Sequence, residues 1–155
     1  MADINLDFIE AATEGDLKTV KQLMLGVANV DVRDSEGWTA FAMAVAHNHV
    51  EIARFLLDRG AEVDASGFKE RTPLMLAANN GCMGAVVLLI ENGADVKAKD
   101  ADGCKASMYS DLHGYRDISR LLNDAEIAIN TLSVSRPALE RLRRGATAQK
   151  AKTIQ

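Results

Sequence analysis

Sliding the sequence against itself by 33 residues brings its most informative positions into register. At that offset Thr39 meets Thr72, Ala11 meets Ala44 and Ala77, and Leu23 meets Leu56, Leu89 and Leu122. Gly60-Ala61 falls on Gly93-Ala94, and Val30, Val63 and Val96 share a column. Gly15, Gly81 and Gly114 share another, which the second unit fills with Asn48. No insertion or deletion is needed from the first unit to the last. A gap-free period of this length is the signature of a stacked repeat array.

Each unit has the same internal grammar. In the second, Thr39 to His47 is short, apolar and rich in Ala. Asn48 follows in the Gly column, and Asn is the residue after Gly that best tolerates a left-handed turn. From Val50 to Leu57, apolar residues at 52, 53, 55, 56 and 57 lie between charges at 51, 54 and 58, which predicts an amphipathic helix with a broad buried face. Gly60 then suits the helix end. The pattern is helix, tight turn, helix, hairpin-like loop. So small a unit cannot bury its own apolar face, so neighbours must stack, and Ala44 and Ala77 let the helices approach closely.

At this point the residues resemble a known family. Arg71-Thr72-Pro73-Leu74-Met75-Leu76-Ala77-Ala78-Asn79-Asn80-Gly81, followed by Leu88-Leu89-Ile90-Glu91-Asn92-Gly93-Ala94-Asp95-Val96, is similar to the ankyrin repeat. Gly37-Trp38-Thr39-Ala40-Phe41 and Phe55-Leu56-Leu57-Asp58-Arg59-Gly60-Ala61 match it in the second unit. The resemblance implies an all-α ankyrin-repeat solenoid of four repeats, 1–33, 34–66, 67–99 and 100–125. A C-terminal extension, 126–155, follows, and its first residues to 134 are expected to prolong the last helix. Three departures stand out. The family's usual His after Thr-Pro-Leu is replaced by Ala42, Met75 and Met108, the first repeat has Val27-Ala28 for Gly-Ala, and the fourth is more polar.

Composition narrows the function. The chain is 48% hydrophobic and 26% charged, which is globular rather than disordered. No apolar stretch is long enough to span a bilayer, and the acidic start lacks the form of a signal peptide. A cytoplasmic protein is expected, with the nucleus as the alternative. Cys82 and Cys104 lack the spacing of a disulfide framework or a zinc site. His47 and His113 occupy equivalent columns two repeats apart, roughly 20 Å at one helix-packing distance of ~8–10 Å per repeat, too far to share a metal. No nucleophile–base pair and no Gly-rich phosphate loop is present. The expectation is a monomeric protein without cofactor, metal or catalytic site.

The resemblance implies that loop tips and first helices line a concave face used for binding another protein. By column, that face carries Arg33, Trp38, His47, Phe68, Lys69, Arg71, Asn80 and His113. Trp38, the only Trp, is the expected anchor, since Trp and Arg lead among interface anchors. The competing readings pack Trp38 flat on its own repeat and tuck Phe68 under its hairpin. Lys69 and Arg71 would form a basic spot on an acidic body.

The formal net charge of −4 divides unevenly. Residues 1–135 hold 12 Lys/Arg against 21 Asp/Glu, or −9, whereas 136–155 hold six against Glu140 alone, or +5. The body would repel nucleic acid. The basic tail, with Arg136, Arg141, Arg143 and Arg144, leaves several readings open: a contact to nucleic acid or an anionic membrane, docking onto the acidic repeats, a weak partner motif, or a solvated tail. Pro137 and Gly145 would bound a short helix that places Leu139 and Leu142 on one face.

Overall fold

The structure, a computed structural model, describes residues 3–132, which form eight α-helices and no β-strand. They pair as α1 (Ile4–Glu14) with α2 (Leu17–Leu23), α3 (Ala40–Ala46) with α4 (Val50–Asp58), α5 (Pro73–Asn79) with α6 (Met83–Glu91), and α7 (Ala106–Leu112) with α8 (Arg116–Leu132). The first helices α1, α3, α5 and α7 pack in a row, and each second helix backs its own partner. Between them runs one continuous core, in which Phe8, Phe41, Leu56, Leu74, Met75, Leu89 and Leu122 are among the largest fully buried side chains. Ala11, Ala44 and Ala77 are buried, as close helix approach requires, and Ser110 takes their column in the last unit. Its hydroxyl is satisfied by the Ser107 carbonyl at 2.9 Å and by Ser119 Oγ at 2.7 Å, so this buried polar pair carries no desolvation debt.

The Thr column begins the first helices. Thr39 Oγ1 accepts from the Ala42 N–H at 3.1 Å, and Thr72 Oγ1 from that of Met75 at 3.4 Å, satisfying otherwise orphaned donors. Where the family has His, Met75 turns its sulfur back to accept from the Thr72 N–H at 3.4 Å and closes a capping box. In the fourth unit Lys105 holds the cap position without a side-chain cap bond and instead pairs with Glu126 at 2.8 Å. That pair ties α8, which continues helically to Leu132, to the start of α7. The first unit ends differently, as its sequence demands. With Val27 where others have Gly, α2 stops at Leu23, and the chain unwinds through Gly26 and Val27, both donating to the Leu23 carbonyl. Val27 then turns inward and is buried. The tail residues Arg136, Arg141, Arg143 and Arg144, and the short helix expected there, lie outside the described residues.

Neighbouring units lock each other's turns. Gly15, Gly81 and Gly114 have positive φ, and Asn48, in the same column, has φ 60°, the left-handed conformation expected of it. A ring from the next unit lies over two of these glycines. A Cβ on Gly15 would come within 2.6 Å of the His49 ring, and one on Gly81 within 2.7 Å of Tyr115. Asn48 does carry a Cβ, and the residue opposite it is the small Cys82. The Asn48 amide then does a second job. Its Oδ1 accepts the Ala85 N–H at 3.1 Å, supplying α6 with the cap that Cys82 does not provide. His49 Nε2 lies 3.0 Å from the Thr13 carbonyl, and one unit later Cys82 Sγ lies 3.3 Å from that of Ala46.

This pairing predicts a compensation. Cys82→His should crowd Asn48 and destabilise the fold by about 1–3 kcal/mol. In the double variant Asn48→Gly/Cys82→His the loss should be smaller than the sum of the two single losses, read by urea denaturation.

Candidate partner-binding surface

The hairpin tips of the second and fourth units are built alike. Asp34 Oδ1 accepts the N–H groups of Glu36 and Trp38, both at 2.9 Å, and Gly37 closes the turn at φ 84°. Asp100 Oδ1 does the same for Asp102 and Cys104, at 3.0 and 2.9 Å, with Gly103 at φ 80°. In the third unit both key residues are missing. Gly67 stands in the Asp column and Glu70 in the Gly column.

Trp38 accounts for the first change. It was expected to face outward, yet it is only 7% exposed. Its ring lies against Gly67 of the next unit, where a Cβ would come within 2.4 Å of Trp38 Cε3. An Asp at that position has no room. Burying an indole gains more than keeping it in water, and the glycine makes the site. Trp38 is therefore an inter-unit packing residue and is corrected from its expected role as outward anchor.

The third tip, without an Asp brace, closes as a single 3-10 turn, Phe68–Glu70. Lys69 and Glu70 both sit at positive φ, 57° and 60°. A left-handed conformation costs a residue with a Cβ about 1–2 kcal/mol. Neighbouring tips hold the turn in place. The Ala101 N–H donates to the Lys69 carbonyl at 2.9 Å, Lys69 Nζ lies 3.4 Å from Asp102, and Arg33 donates to the carbonyls of Gly37 (2.8 Å) and Ser66 (2.5 Å). The consequence is that Phe68 is held out on a constrained loop, 54% exposed.

The other expected residues differ in their freedom. Arg33, Lys69, His47, Asn80 and His113 are exposed. His47 stacks on His49 with centroids 6.1 Å apart, Asn80 Nδ2 donates to the Ala46 carbonyl at 2.8 Å, and His113 Nε2 is 3.0 Å from Asn79 Oδ1. Arg71 is half-buried and committed inward. Its Nε is 3.7 Å from Asp100 Oδ2, and its guanidinium lies over the Tyr109 ring at 5.3 Å. The expected basic spot is thus largely neutralised by Asp100 and Asp102. The first helices also carry a row of residues that were not among those expected. Met43, Leu76 and Tyr109, half-buried and 33 apart, lie one helical turn beyond the Thr column. The signal for them was present in the period.

Asp100 is the electrostatic hub of this face. Burial would raise its pKa, but the Tyr109 hydroxyl, the N–H groups of Cys104 and Asp102, and the Arg71 charge outweigh burial and hold it below the usual value. Burial and the Asp100 carboxylate push Tyr109 up to about 12. Among the described residues, no group of three His, Cys, Asp or Glu side chains is arranged to hold a metal ion, and no helix is long and apolar enough to cross a membrane.

Comparison with known proteins follows the geometry. A family model described as "Ankyrin repeats (3 copies)" matches residues 8–100 and 66–132. The chain is 39% identical over 99 residues to Palmitoyltransferase Hip14 of Drosophila melanogaster, covering 63% of this chain and 16% of that protein. It is 37% identical over 101 residues to the Ankyrin repeat and KH domain-containing protein mask of the same organism, covering 61% of this chain and 2% of that one. It is 38% identical over 105 residues to Probable E3 ubiquitin-protein ligase XBOS31 of Oryza sativa subsp. japonica, covering 66% and 24%. The chain thus spans a quarter or less of the length of each of these relatives.

A pH dependence follows from Asp100. Because its folded pKa is lowered, its stabilisation is present above the unfolded carboxyl value near ~3.9 and is lost as pH falls through the folded value. At pH 7 Asp100→Asn should cost about 1–3 kcal/mol of stability. The gap between wild type and variant in chemical denaturation should close as pH drops below 4, within roughly the range set by those two values.

Proposed function

From the premise that the chain belongs to the ankyrin-repeat family, whose repeats are generally protein–protein interaction modules, we propose that it is a non-catalytic adaptor or regulatory module. Its partner is another protein, taken on the face of loop tips and first helices. The observation that carries this reading is Phe68. A 54% exposed aromatic ring on a loop held by three neighbouring contacts is preorganised for contact, with little ordering entropy left to lose on binding. Around it, Arg33, Lys69 and Glu70 form a charged rim, while Met43, Leu76 and Tyr109 supply an apolar floor. His47, Asn80 and His113 border the far edge, Arg71 positions Tyr109 from beneath, and Trp38 supports the third tip from within.

Two of the matched relatives carry enzyme names, but this chain corresponds to 16% and 24% of their lengths. The chemistry those names denote is assigned here to their other parts. The cytoplasm, with the nucleus as alternative, remains the proposed location.

The test uses a partner selected on the full chain from a displayed library of protein fragments. Phe68→Ala should weaken binding by about 1–3 kcal/mol, roughly ten- to a hundredfold, while stability changes by no more than about 0.5 kcal/mol. Val87→Asp, on the exposed side of α6, should leave affinity unchanged. Loss with the Val87 variant and not with Phe68→Ala would place the binding face on the second helices and defeat the proposal.

A further inference from the structure

The second helices carry a charge pattern that the repeat itself does not require. α2 and α4, with the Arg59 that ends α4, hold Lys18, Lys21, Arg54 and Arg59 against Glu51 and Asp58. The other described residues hold eight Lys/Arg against 19 Asp/Glu, so a positive spot stands on an acidic body. All four cations are exposed, and among the described residues none of them forms an ion pair. At their centre is Phe55, half-buried, with Lys21 Nζ 5.7 Å and Arg59 Cζ 4.8 Å from its ring centroid. A ring face holds a cation in place without cancelling its charge, so these two are ordered and still positive. The repeat supplies its own control. The later units fold with Leu88 and Leu121 in the Phe55 column and with Asn92 and Ala125 in the Arg59 column. In the column of Lys21 and Arg54, the third unit has Val87, and Arg120 of the fourth is paired with Asp124 at 4.0 Å.

We propose that this spot is a second docking surface, separate from the loop tips, and that it takes an acidic segment of a partner protein. Carboxylates of the segment meet Lys18, Lys21, Arg54 and Arg59, and an apolar side chain between them meets Phe55 and Leu25. Leu25 lies one turn past Lys21 and is 88% exposed, so the spot offers apolar surface as well as charge. Charge complementarity selects an anion, and the surroundings select a short one. Glu51 and Asp58 flank Arg54 one turn away on either side, and the rest of the body is acidic. A nucleic-acid backbone or an anionic bilayer would lay its phosphates over those carboxylates too, and would be repelled there. A segment of a few residues sets its charges on the cations alone. Because the ring already orders Lys21 and Arg59, little side-chain entropy remains to be lost when the segment docks.

Amide chemical shifts of the full chain, titrated with a short capped peptide of Glu residues around one central Leu, test this. The shifts that move should lie along α2 and α4, with Phe55 among them, and added salt should weaken the binding several-fold. The same peptide with Gln for every Glu should not bind. Lys21→Glu/Arg54→Glu should weaken binding roughly five- to tenfold, whereas Phe68→Ala should leave it unchanged. If the spectrum of the double variant shows a loosened stack, Lys21→Gln/Arg54→Gln is read in its place: weaker binding supports the surface, and unchanged binding overturns it. Shifts confined to the loop tips or to residues 136–155 overturn the proposal, as does an affinity that charge reversal does not alter. Vesicles containing phosphatidylserine, or a single-stranded oligonucleotide, moving the same amides at lower concentration than the peptide would also overturn it. Shifts in α2 and α4 that appear on concentrating the chain alone would make a second copy the occupant, which overturns it too.

Discussion

Every unit in this chain depends on its neighbour, because two short helices bury too little to stand alone. The dependence is visible in the bonds themselves. Side-chain hydrogen bonds that join successive units link residues 31 apart, as in Asp31 to the Glu62 N–H, up to 37 apart, as in Asn48 to the Ala85 N–H. Asp64 repeats the Asp31 bond one unit on, accepting from the Asp95 N–H at 3.1 Å. A sequence constrained this way can change a column only when the opposing column changes with it. Large rings sit over Gly15 and Gly81, and the small Cys82 sits opposite Asn48.

The same rule explains the binding face. Placing a Trp at position 38 requires a Gly at position 67, and that Gly removes the Asp that braces the equivalent loops of the second and fourth units. The third loop then closes with two left-handed residues and holds Phe68 outward. Strain at one tip is thus the counterpart of tight packing between two units. It is tolerated because the Ala101–Lys69 backbone bond, the Lys69–Asp102 pair and the Arg33 bridge hold the tip from both sides.

Much of this was legible in the sequence. The period of 33 located the helix pairs, the Gly column located the turns, and Asn48 was expected in its left-handed conformation, which it adopts. The Thr column, which the sequence offered only as a mark of register, turns out to cap the first helices of the second and third units. What the column pattern could not convey was which way a side chain leans between units. Trp38 was expected to face outward from its column, and it is Gly67, 29 residues on, that leaves room for its ring to pack inward. Arg71 was likewise expected to be a free cation, but it is drawn to Asp100, and that pairing arises from an Asp and a Tyr in the following unit. Single-column reasoning sees the residue, whereas the outcome belongs to the pair.

The central claim is that the Trp38–Gly67 contact dictates the third loop, and a double-mutant cycle on unfolding free energy tests it directly. Gly67→Ala in the wild-type background should cost about 1–3 kcal/mol, because the methyl meets the indole. In a Trp38→Ala background, where the ring is gone, the same substitution should cost markedly less, leaving a coupling energy of at least about 0.5 kcal/mol. Equal losses in the two backgrounds would contradict the account, since the glycine would then be required by its own loop and not by the ring.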